Sequence, residues 1–256
     1  MSSGRRNGTI WIDRIGWFCV AAMTVVERES RQVRIERVFT EHAREARALI
    51  KEQGLGSYVG RLPVYLSRFL YQRQEFYIWR SDMNCVGGSF VPRAEDCDFK
   101  VISEPEELDE LVAEGRSFDP SFSLKDARWM LTGHLVGFLL FVHRELASWS
   151  WAAMEEKTRY FVNRPPRKVD YTREAYAGRA YTLPRYRGLG LYAYGSLKRL
   201  EYLKEKGKSG VVLVTLKDNE PAIRVQKKFG GRICGEINLR RLLLCEFWTE
   251  KWHDCG

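Results

Sequence analysis

The seven residues GVVLVTL at 210–216 constrain the fold more than any other stretch of this chain. They are apolar and mostly β-branched with no polar alternation, which is the pattern of a strand covered on both faces. Such a strand requires helices above and below its sheet, and the neighbouring sequence supplies them. Upstream, Leu189–Lys206 follows helical spacing; downstream, Glu220–Phe229 reads as a second helix closed by Gly230 and Gly231. Before the first of these helices, YAGRAYTL (176–183) reads as another strand.

The same regularity runs back to Phe99. FKVI (99–102) is a predicted strand, and Glu104–Glu114 a helix that Gly115 ends. Ser123 opens a helix through Leu131, with Ser123 and Asp126 at capping-box spacing. HLVGFLLFV and LASWSWAAM flank His-Arg-Glu, so 134–154 is a hairpin. RICGEINL and RLLLCEFW close the chain as two strands. The predicted order from Phe99 is β-α-α-β-β-β-α-β-α-β-β, an α/β (α+β) domain over 99–252 with no internal repeat.

The first 98 residues read differently. Residues 1–30 are a leader that only faintly resembles a signal peptide, because Asp13 and Arg14 interrupt its apolar run. Residues 31–98 form a smaller α/β extension and linker. QVRIERVF alternates as a strand, Glu41–Gln53 is a helix, 62–79 is a core-facing helix followed by an extended EFYIW, and 81–98 is linker. The aromatic and basic character of 62–79 also permits an interfacial patch on anionic lipid, which would make the protein membrane-peripheral. Nowhere do 18 uncharged apolar residues run together, so no spanning helix is predicted.

The net charge of +9 suits an anionic partner, whether nucleic acid, an acidic membrane or a phosphorylated small molecule. The six cysteines are scattered through a chain too large to need disulfide staples, so they read as reduced thiols of a cytoplasmic protein. No paired CxxC accompanies His253 near Cys245 and Cys255, and no metal site is expected.

The chemistry concentrates at R185-Y-R-G-L-G190. A strand delivers the chain to Pro184 and a helix opens near Leu189, whose first amides have no intrahelical acceptor and carry partial positive charge. Gly188 and Gly190 lack Cβ atoms, so an anion can approach the backbone, and Arg185 and Arg187 add charge at the rim. This is a phosphate or pyrophosphate turn, but neither a P-loop nor G-x-G-x-x-G.

R185-x-x-G188-x-G190 resembles the Q/R-x-x-G-x-G/A signature of the GNAT superfamily of acyl-CoA-dependent N-acyltransferases. N219-E-P-A222-I-R-V225-Q-K-K228-F-G230 is similar to the family's second landmark helix, and the element order from Phe99 to Trp248 agrees with its fold. Residue-level likeness covers about 176–231. The resemblance implies a mixed central sheet flanked by helices, with the strands 176–183 and 210–216 parallel and splayed apart. Acyl-CoA, most simply acetyl-CoA, would lie in that opening with its pyrophosphate on Leu183, Arg185, Arg187, Gly188, Leu189, Gly190 and Leu191. Asn219 and Ala222 would meet the cofactor arm, with Asn219 or Asp218 capping the helix. A backbone N–H of the 176–183 strand would polarise the thioester carbonyl while a primary amine attacks directly. No metal is implied, and the acceptor, the acyl length and the oligomeric state stay open.

The family often places a Tyr seven residues after the Asn to protonate the departing thiolate. This chain has Gln226 there, which cannot act as an acid. Tyr181 is one candidate acid; Tyr192 and Tyr194 are nearby but read as helix packing, and Tyr192 stands where a small residue is common. Glu155 and Glu174 are candidate bases, each with a surface-carboxylate reading beside it. Gln226 also admits a CoA-binding module without turnover. A nucleic-acid reading of the basic segment 157–173, with Tyr160, Phe161 and Tyr171 as stacking aromatics, is the weaker alternative.

Overall fold

Strand patterning decides the sheet. In the computed structural model, which describes residues 71–83, 90–158, 165–242 and 245–253, eight strands form one mixed sheet. In chain order the elements are β1 (Tyr71–Asp82), β2 (Cys97–Ile102), α1 (Pro105–Ala113), α2 (Leu124–Thr132), β3 (Val136–Val142) and β4 (Glu145–Ala153). Then follow β5 (Glu174–Thr182), α3 (Leu191–Glu205), β6 (Gly210–Leu216), α4 (Glu220–Lys228), β7 (Arg232–Leu242) and β8 (Cys245–Trp252). The spatial order is β2-β3-β4-β5-β6-β1-β7-β8. From β2 onward this reproduces the predicted sequence of elements.

Every residue of β3 is buried, as a doubly covered strand should be. On one face Leu108 and Leu111 of α1 and Ala127, Met130 and Leu131 of α2 pack with Trp151, Tyr176 and Val212. On the other, Ala193, Leu197, Leu200 and Leu203 of α3 pack with Ala175, Ala177, Val211 and Leu213. Alternation along β5 therefore sends Ala175 and Ala177 one way and Tyr176 the other. Ser123 caps α2 by accepting from the Asp126 amide at 3.2 Å, as its spacing predicts.

The main departure is β1. Residues 62–79 read as a helix followed by an extended EFYIW, set apart from the later domain. The extended part is right, but it begins at Tyr71, takes in Arg73 and lies inside the sheet. β1 runs antiparallel to β6 on one side and to β7 on the other. Ile78 and Trp79 are buried, and the Trp79 indole donates to Thr215 Oγ1 at 2.8 Å. Those residues cannot lie on lipid. Residues 62–70, the strand at 32–39 and the helix at 41–53 lie outside the described residues. No described helix is long and apolar enough to cross a membrane.

Two smaller corrections follow. Cys97 is a free, half-buried thiol, but Cys234 is disulfide-bonded, so the cysteines are not all reduced. In the basic segment, Val169 and Tyr171 pack against the core, and the Arg167 amide donates to Glu250. Tyr171 is thus unavailable for base stacking, and Tyr160 and Phe161 lie outside the described residues.

Candidate acyl-CoA site

β5 and β6 are the sheet's parallel pair, and they pair only in part. Glu174–Ala177 face Gly210–Leu213; beyond them β5 keeps β4 and β6 keeps β1, but not each other. The strands part toward their C-terminal ends. A bulge sits on β5 at the parting, since Trp151 faces Gly178 while Trp149 faces Tyr181. Arg179 takes φ 49° there, a left-handed conformation unusual for a side chain of its kind. Bulged residues leave the ladder, so β5 presents unpaired backbone at the mouth of the opening.

The turn that follows is built around two left-handed glycines. Leu183 is buried, a single 3-10 turn spans Pro184–Tyr186, and Gly188 and Gly190 take φ 80° and 81°. Gly190 is the N-cap of α3 and offers no side chain to its amides. The first helical bond returns to it from Tyr194, at 3.0 Å. The two glycines serve different ends. A Cβ at Gly188 would meet nothing within 4 Å, so its face is open to a ligand. A Cβ at Gly190 would stand 2.9 Å from the Phe90 ring, so this glycine admits the 90–92 segment and not an anion. That segment is pinned by the Arg93 amide donating to the Leu189 carbonyl at 2.9 Å.

The rim charges divide likewise. Arg185 is held by carboxylates: its guanidinium bonds Glu145 at the start of β4 and approaches Asp119 at 3.3 Å. The Tyr186 hydroxyl donates to Glu145 at 2.6 Å, and this bond, with Arg185, holds the Glu145 carboxyl below its ordinary range. Arg185 fastens the turn to the β3–β4 hairpin and brings little net charge to it. Arg187 stays at the rim, with Nε donating to the Thr182 carbonyl at 3.2 Å and its guanidinium 5.7 Å from the Tyr181 ring centroid. Lys228 of α4 lies 4.2 Å from the Phe90 ring centroid, a cation beside the turn that spacing alone did not single out. Among the described residues neither Arg187 nor Lys228 is paired with a carboxylate.

Asn219 caps α4 by accepting from the Ala222 amide at 3.3 Å, and Ala222 is buried beneath it. Gln226 is buried too, and its amide donates to the Tyr192 hydroxyl at 3.1 Å. A phenol from α3 therefore reaches the end of the Gln226 side chain. Sequence reading took Tyr192 for helix packing because its partner is 34 positions away.

The three candidate catalytic residues do not come together. Tyr181 lies on the open arm of β5, partly exposed, its ring tilted against Trp149 with centroids 4.9 Å apart. Glu174 lies at the closed end of the β5/β6 pair, 8% exposed, with Arg80 Nε 2.6 Å from its carboxylate. Glu155 follows the far end of β4, exposed and paired with Lys157 at 2.8 Å. Among the described residues no three His, Cys, Asp or Glu side chains gather as a metal would need.

No protein-family model matches the chain, and no curated protein matches its sequence. Solved structures resemble it at low identity. A Drosophila protein is 12% identical with a TM-score of 0.45, over 73% of this chain and 58% of its own. A GCN5-related N-acetyltransferase-like protein from Streptococcus suis is 11% identical with a TM-score of 0.44, over 77% of this chain and 69% of its own. An aminoglycoside N-acetyltransferase solved with CoA is 17% identical with a TM-score of 0.38, over 55% of this chain and 91% of its own. The mixed eight-stranded sheet flanked by helices, the splayed parallel pair and the glycine turn at the mouth of α3 are the GNAT-like arrangement that the sequence resemblance implies.

Proposed function

We propose that the protein is an N-acyltransferase that moves an acyl group, most simply acetyl, from acyl-CoA to a primary amine. The observation that carries this reading is the mouth of α3: helical amides without a side-chain cap, an open Gly188 and the Arg187 and Lys228 cations, all where β5 and β6 part. The CoA pyrophosphate would take those amides, and the pantetheine arm would run into the opening. At the β5 bulge an unpaired N–H would polarise the thioester carbonyl. The amine's nitrogen attacks that carbonyl carbon, the C–S bond breaks, and the sulfur leaves as CoA thiolate. Tyr192 would be the phenol that protonates it, with the Gln226 amide donating to its hydroxyl; Tyr181 on the open arm is the other candidate. Glu174 shares a face of β5 with Tyr176 and Gly178 but sits at the closed end of the pair on Arg80, so as the base it would need a chain of waters past the buried Tyr176.

The test is calorimetric titration with acetyl-CoA, run beside a thiol-release assay on a panel of amines. Expected are saturable binding by the wild type and its loss by at least tenfold in Gly188→Asp, with affinity kept within threefold in Gly188→Asn. Both variants carry the left-handed backbone that Asn and Asp tolerate, so only the charge differs. Absence of binding by the wild type would end the proposal. Binding without thiol release would reduce it to CoA capture.

A further inference from the structure

The least compensated charge in the described residues is Arg199. It lies on the sheet-facing side of α3, 3% exposed, with its Nε lacking any hydrogen-bond partner. No carboxylate among the described residues pairs with it. Four further polar side chains line the same small cavity: Ser148 and Ser150 of β4, and Tyr192 and Ser196 of α3. Phe138 supplies part of the apolar wall. Ser148 is already engaged with the Tyr181 carbonyl at 2.9 Å and Thr182 Oγ1 at 2.8 Å, and Tyr192 receives the Gln226 amide. The Ser196 hydroxyl is buried and has no partner. The free volume is about 10 Å³, enough for one water-sized particle.

A buried cation cannot remain in this condition cheaply. Desolvation pushes the Arg199 pKa down. The guanidinium nevertheless starts so high that it stays protonated throughout the pH range of folded proteins. Burying it without a counter-charge is unfavourable, and a neutral water would fill the space while leaving that charge uncompensated. The cavity excludes a phosphate or a carboxylate by size. A monatomic anion is the charged ligand closest in size to this space, entering with a small outward shift of the Ser148, Ser150 and Ser196 side chains, and it meets both the charge and the Ser196 donor. We propose that the cavity between α3 and the β3–β4 hairpin binds a single monovalent, chloride-sized anion, held by the Arg199 guanidinium and the Ser196 hydroxyl. The site is separate from the phosphate turn and independent of the acyltransferase reading, although Tyr192 lines it and also meets Gln226.

The experiment is thermal unfolding of the full-length protein, without CoA, in sodium chloride, bromide or gluconate at equal ionic strength. Gluconate is too large for the cavity. At a halide concentration ten times Kd, linkage raises Tm by about 3–5 °C over gluconate. In Arg199→Met the three salts should give the same Tm, while the phosphate turn stays intact. Equal Tm values for the wild type in all three salts, or an undiminished halide increment in Arg199→Met, overturn the proposal. Should that variant fail to fold, bromide-soaked wild-type crystals decide. An anomalous peak between Arg199 and Ser196 supports the site, and its absence refutes it.

Discussion

At the scale of single residues, the chemistry turns on side chains whose roles depend on distant partners. Glu174 illustrates this. Its ion pair with Arg80 and its place on β5 give it a structural role in any case, so Glu174→Gln should cost about 1–3 kcal/mol of stability, reduced because Arg80 is partly exposed. A base at this position predicts more: a fall in kcat of at least tenfold and loss of the acidic limb of the pH–rate profile. Unfolding curves and pH profiles of the same variant separate the two, and an unchanged kcat leaves only the ion pair. Tyr192 permits the complementary measurement. Tyr192→Phe keeps the ring and removes the hydroxyl that Gln226 meets, so kcat should fall by about tenfold while KM for acetyl-CoA changes little. A change confined to KM would assign Tyr192 to binding alone.

At the scale of elements, local rules did well and tertiary commitments were hidden. Helix α3, strand β6 and the glycine turn were legible because their signals lie within a few residues: spacing, a β-branched run, and two glycines before a helix. The bulge at Arg179 was not, because nothing in YAGRAYT marks a left-handed non-glycine residue. Arg185 is the sharper lesson. It stands within the anion turn yet is fastened to Glu145 and Asp119, which arrive from 40 and 66 positions away. Asn219 shows the reverse, since its local option as a helix cap is the one realised. Asn219→Ala should therefore lower stability by about 1 kcal/mol and leave acetyl-CoA affinity within twofold. Denaturant unfolding and calorimetry check the two halves, and a tenfold affinity loss at unchanged stability would move Asn219 to the cofactor.

At the scale of the whole molecule, β1 was the element least visible in advance. Its pattern YQRQEFYIWRSD is polar for half its length, follows an apolar stretch at helical spacing, and pairs with strands far along the chain. No local rule places such a strand in the middle of a sheet. A proline at Ile78 in the full chain would remove a ladder donor opposite Val214 and Gly235. Ile78→Pro should therefore cost at least about 3 kcal/mol and lower Tm by roughly 6–12 °C. A Tm within 2 °C of wild type would show that the later strands hold together without it.

The position of β1 also governs when the protein can be finished. Tyr71 lies opposite Leu242, and β6, on the other side of β1, lies late in the chain as well. During synthesis β1 leaves the ribosome long before either neighbour exists, with Ile78 and Trp79 uncovered and both edges unsatisfied. Completion must wait until β6 and β7 have emerged, so the nascent chain depends on slow, long-range closure and offers chaperones an early strand to hold.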